Sequence, residues 1–89
     1  GTILTTSEYK SESKFIASNL MGINVYMRVI TIKENAESLI EAWNNLSKND
    51  VVIINCHGNP YSINGMNYNS SKKLKKKHIH LLKITISKS

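Results

Sequence analysis

The chain has 89 residues, 40% apolar and 20% charged. That is enough for one small domain burying roughly 60–65% of its unfolded surface and too little for a large enzyme with its own substrate domain. The net charge of +6 is unevenly spread, because residues 1–71 carry five basic side chains against six acidic ones, a balance of −1, while residues 72–89 carry seven lysines and no acid. Basicity therefore belongs to one stretch, no apolar run approaches the ~18 residues of a membrane-spanning helix, and the single cysteine, Cys56, excludes an internal disulfide.

The amino end shows no basic segment leading into an apolar stretch, so no export signal is expected. Thr2-Ile3-Leu4-Thr5-Thr6 is β-branched and bounded by polar residues, which predicts a first strand. From Ser11 to Met21 the apolar residues Phe15, Ile16, Leu20 and Met21 share one helical face, and Gly22 is placed to end that helix in the left-handed conformation. Val25–Ile32 is β-branched and apolar on both faces apart from Arg28 and Thr31, the pattern of a second strand.

Asn35 is a favoured N-cap, Glu37 suits a first turn, and Ala36, Leu39, Ile40, Trp43 and Leu46 recur at helical spacing before Lys48. This predicts an amphipathic helix with Leu39 and Trp43 facing the core. Val51-Val52-Ile53-Ile54, opened by Asp50, has the composition of a strand buried on both faces of a parallel sheet. Asn64-Gly65 between Tyr61–Ile63 and Met66–Tyr68 suits a type I′ turn, so a small β-hairpin is expected to project there. Asn69–Ser71 is expected to be a linker, Lys72–Lys77 a solvated charge run, and Ile79–Ile86 a fourth strand.

The β-α-β-α-β order with crossover helices predicts a single three-layer α/β domain over residues 1–89, with a mostly parallel sheet of about four strands and the hairpin after the third. In such sheets ligands gather beyond the carboxyl ends of the strands. Asn55-Cys56-His57-Gly58-Asn59-Pro60 is expected there. His57 supplies a base, and Gly58 lets a backbone N–H approach a developing oxyanion.

This segment resembles the caspase-like cysteine peptidases, the group of caspases, legumains, gingipains and clostripain. Their pattern is a buried strand ending in His-Gly, then a later strand ending in a small residue and the nucleophilic cysteine. Val51-Val52-Ile53-Ile54-Asn55-Cys56-His57-Gly58 matches the first half, and the preceding order of elements agrees over roughly 60 residues. The resemblance implies His57 as catalytic base, the Gly58 amide as oxyanion donor, and a peptide or protein as substrate. The second half departs: no cysteine follows His57, and Ser87 stands near where the nucleophile is expected. The implied function is a truncated or degenerate peptidase domain, inactive alone. The alternative is a non-catalytic α/β module that self-associates or completes a longer chain.

Three further readings of the same residues carry less. Cys56 as nucleophile is disfavoured because adjacent strand side chains point to opposite faces. Zinc held by Cys56, His57, His78 and His80 is disfavoured because parallel pairing sets the two pairs roughly 20 Å apart, so neither a metal nor another cofactor is expected. Lys72–Lys77 lacks interleaved arginine and aromatic residues, so nucleic acid is not an expected partner; nor is a membrane.

Overall fold

The computed structural model describes residues 1–48, 50–76 and 80–87, the last of these as backbone only. In chain order the elements are β1 (Thr2–Thr5), a 3-10 turn (Ser7–Tyr9), α1 (Lys10–Met21), β2 (Arg28–Thr31), α2 (Ala36–Asn44), β3 (Val51–Asn59), β4 (Ser62–Ile63), β5 (Met66–Asn67), α3 (Tyr68–Ser71) and β6 (His80–Ser87). The result is a small mixed α/β domain. β1 pairs in parallel with β2 on one side and β3 on the other, β3 pairs in parallel with β6, and β4 and β5 extend the far end of β3 as an antiparallel hairpin.

Pairing sets the strand lengths, and two differ from expectation. β2 is confined to Arg28–Thr31 rather than Val25–Ile32, because β1 offers partners only from Thr2 to Thr5. β3 runs on through His57 and Gly58 to Asn59 instead of stopping at Ile54, because β6 pairs with it as far as His57 and β4 takes over at Gly58. The Cys56-His57-Gly58 motif therefore lies within a strand, not after it.

Adjacent side chains of β3 serve different faces. Leu4, Val52, Ile54 and Cys56 pack with Ile32 and with Leu39 and Leu46 from α2 and its end, and Trp43, Ile63 and Met66 close the edge of this cluster. Asn35 caps α2 as expected, its side chain accepting Ser38 N–H at 2.8 Å. Trp43 also donates Nε1–H to the Lys75 carbonyl at 3.1 Å, which pins the lysine-rich crossover against α2.

The α1 side is built differently. Asn55, fully buried, donates its amide to Glu12 Oε1 at 2.9 Å and Ser13 Oγ at 3.0 Å. Anchored by those bonds, α1 turns Ser13 inward and leaves Phe15 and Met21 exposed, so the expected apolar face is only half seated through Ile16 and Leu20. Gly22 does not end the helix left-handed; it keeps helical φ and ψ of −61° and −20°. Asn24 takes the left-handed position at φ 62°, with its N–H on Met21 O and Val25 N–H on Leu20 O, the paired bonds of a Schellman cap.

Two loops are more ordered than composition implied. The hairpin turn has positive φ at Asn64 and Gly65, as a type I′ turn requires, yet it does not project: Asn64 is buried against the start of α2. Residues 69–71, expected as linker, lie in α3, because Asn67 and Ser70 form a reciprocal capping box.

Candidate active site at the carboxyl ends of the strands

The chain leaves β1 toward β2, then returns past β1 to β3, so the strand order reverses between β1 and β3. At such a reversal the connections diverge and open a crevice above the carboxyl ends. Three segments meet there: the 3-10 turn after β1, the loop after β2, and β3 itself.

His57 stands at this end of the sheet on β3 with its side chain about one-third exposed. Its Nε2 is in hydrogen-bond contact with Glu8 Oε2, and its Nδ1 lies 3.2 Å from Tyr9 Oη. The bonds fit one neutral tautomer, with Nε2–H donated to the carboxylate and Nδ1 accepting the phenol O–H. The Tyr9 ring meets the imidazole edge to face, centroids 5.1 Å apart at 71°, a favourable aromatic arrangement. Glu34, from the loop after β2, completes a group in which one ligand atom each from Glu8, Glu34 and His57 lies within 4.8 Å of the others.

The backbone beneath the group is tied together. Thr6 N–H bonds to Asn55 O at 3.3 Å, and Tyr9 N–H to Thr6 O at 3.1 Å, which holds the turn carrying Glu8 against β3. Asn64 links the other two segments: its N–H bonds to His57 O at 2.8 Å, and its side-chain amide to Lys33 O at 2.9 Å and Asn35 O at 3.0 Å. Those carbonyls flank Glu34 on both sides.

The remaining candidate residues fall as follows. Gly58 sits opposite Ile63 in the hairpin ladder. Cys56 is buried on the α2 face, pointing away from His57, and burial pushes its thiol up to about 11, so it stays protonated and shielded from substrate. Ser87 is the register partner of His57 on β6. His80 is the register partner of Val51, which separates its level from that of His57 by about 20 Å at the usual rise per residue. His78 lies outside the described residues. Among the described residues, His57 and His80 are therefore not brought together.

Sequence pattern marks none of Glu8, Tyr9 and Glu34, and marks Asn64 only as a turn residue. A signal was present: Glu8 and Glu34 each stand three residues beyond the last residue of a parallel strand, Thr5 and Thr31, where the reversal rule places ligands. Compared with protein-family models, curated proteins and solved structures, the chain matches none.

Proposed function

We propose that these residues form the amino-terminal half of a caspase-like domain of three-layer α/β architecture, carrying the His57-Gly58 half of the catalytic dyad and catalytically silent by itself. The observation that carries this reading is the register of the two inner strands: β6 runs parallel beside β3 with Ser87 level with His57, the relation the family's nucleophile strand bears to its His-Gly strand. The order β2-β1-β3-β6 is common to other doubly wound folds, so what supports this family over those is the His-Gly pair taken together with this register. Silence follows from the chemistry. A serine hydroxyl is far less acidic than a thiol, so His57 has no readily ionised nucleophile to activate.

The test restores the missing thiol. Iodoacetamide should alkylate the Ser87→Cys chain at neutral pH about tenfold faster when His57 is present than in a His57→Ala background, because an adjacent imidazole favours the thiolate. Equal rates would sink the caspase-like reading. The unchanged chain should hydrolyse no peptide after Arg, Lys, Asp or Asn; hydrolysis abolished by His57→Ala would overturn its silence.

A second reading, a non-catalytic module that self-associates or completes a longer chain, is favoured by one observation. Phe15, Met21, Ile23 and Tyr26 are exposed on and just after α1, more apolar surface in one region than a solvated helix needs.

A further inference from the structure

A second use of this end of the sheet does not rest on the peptidase reading. Glu8, Glu34 and His57 come from the carboxyl ends of three different parallel strands and converge to within 4.8 Å. We propose that these three side chains bind a divalent first-row transition cation, zinc being the ion best suited to one imidazole and two carboxylates.

The donor set is chemically complete for such an ion. Imidazole and carboxylate oxygens are both zinc ligands, and three protein ligands leave a further coordination position open to water or a ligand. Two carboxylates beside a neutral imidazole balance the double positive charge. Bonds of about 2.0–2.2 Å to a tetrahedral ion set ligand atoms about 3.3 Å apart. Glu8, now in contact with Nε2, must step back slightly and Glu34 must close in by roughly 1–2 Å. Both glutamates are exposed and free to change rotamer.

The imidazole is already oriented for this. Coordination through Nε2 moves the ring proton to Nδ1, where Tyr9 Oη, 3.2 Å away, turns from donor to acceptor. A metal-bound histidine characteristically donates its other N–H to such a partner.

Asn64 supplies the independent observation. It is 5% exposed, holds a left-handed φ of 53°, and directs its donors to the backbone of His57 and to the two carbonyls flanking Glu34. Its side-chain Oδ1, buried between the two segments, has no hydrogen-bond partner among the described residues. A buried side chain that ties one ligand's strand to both neighbours of another is a positioning group, outside the coordination sphere but setting its geometry.

The experiment is zinc titration of the full chain against a chromophoric chelator. One zinc per chain is expected, with Glu34→Gln and Glu8→Gln each weakening it at least tenfold at unchanged far-ultraviolet circular dichroism. Tyr9→Phe should weaken it by about 10-fold, as loss of a supporting partner does. Cys56→Ala should leave it unchanged, and cobalt in place of zinc should show no thiolate charge-transfer band. No stoichiometric binding, or binding indifferent to Glu34→Gln and lost instead on changing His78 and His80 to Ala, overturns the proposal. Either result is independent of the Ser87→Cys alkylation rate, so this site and the peptidase reading fail separately.

Discussion

Toward α2 the sheet presents Leu4, Ile32, Val52, Ile54 and Cys56, all buried and all apolar in behaviour. Toward α1 it presents Asn55 held by Glu12 and Ser13, and beyond it His57 held by Glu8 and Tyr9. The first face stabilises by removing apolar surface from water, which is non-directional and tolerant of small shifts. The second depends on hydrogen bonds, which are directional, contribute only about 1 kcal/mol net each, and are expensive to leave unmade. One strand thus divides its labour by parity: even-numbered β3 side chains hold the domain together, and odd-numbered ones near its carboxyl end make the polar contacts.

The sharpest way to break that division is on the α2 face. Leu39, 1% exposed at the centre of the cluster, should lose about 3 kcal/mol of stability on change to Ala, transfer and cavity together, read by urea unfolding. A loss under about 1 kcal/mol would mean the core lies elsewhere.

A smaller effect separates Cys56 from the polar site. Its thiol pKa is raised from 9.0 to about 11 by burial, so above pH 9 the folded chain retains a proton that the unfolded chain gives up. Native stability contributed by this group is present below pH 9 and falls as pH rises toward 11, by about 1 kcal/mol per pH unit. Unfolding at a series of pH values should show that fall in the unchanged chain and a shallower one in Cys56→Ala; parallel profiles would place the thiol in contact with water.

The smallest effect is expected on the outer side of α1. Phe15, 67% exposed, should change monomer stability by less than about 0.5 kcal/mol on replacement by Ser. The same variant bears on self-association: if light scattering finds oligomers of the unchanged chain, Phe15→Ser should shift them toward monomer. A large stability loss in the monomer would show that α1 packs through this residue after all.

The order of elements and the parallel sheet were legible because hydrophobic periodicity reports burial directly: Val51–Ile54 and the Leu39-Ile40-Trp43 repeat have few alternative uses. Asn64-Gly65 was legible because few residue pairs tolerate two positive φ values in succession. The orientation of α1 was not, since apolar spacing pointed to Phe15 and Met21 while the buried Asn55 demanded hydrogen-bond partners and turned Ser13 inward. Half of the candidate site was legible for a similar reason. His57-Gly58 after a buried run is a local pattern, whereas Glu8, Glu34 and Asn64 are ordinary polar residues until the strands bring them together.

By itself, then, the sequence determined the order of the longer strands and helices, the capping of α2, the Asn64-Gly65 turn and the nearness of His57 to the end of an inner strand, all of which follow from local residue patterns. Tertiary structure decided where β2 and β3 end, which side of α1 faces the sheet, and which side chains surround His57. Those outcomes depend on pairing partners and unsatisfied polar groups 25–50 residues away, such as Tyr9 and His57 or Glu12 and Asn55, and no local propensity encodes them.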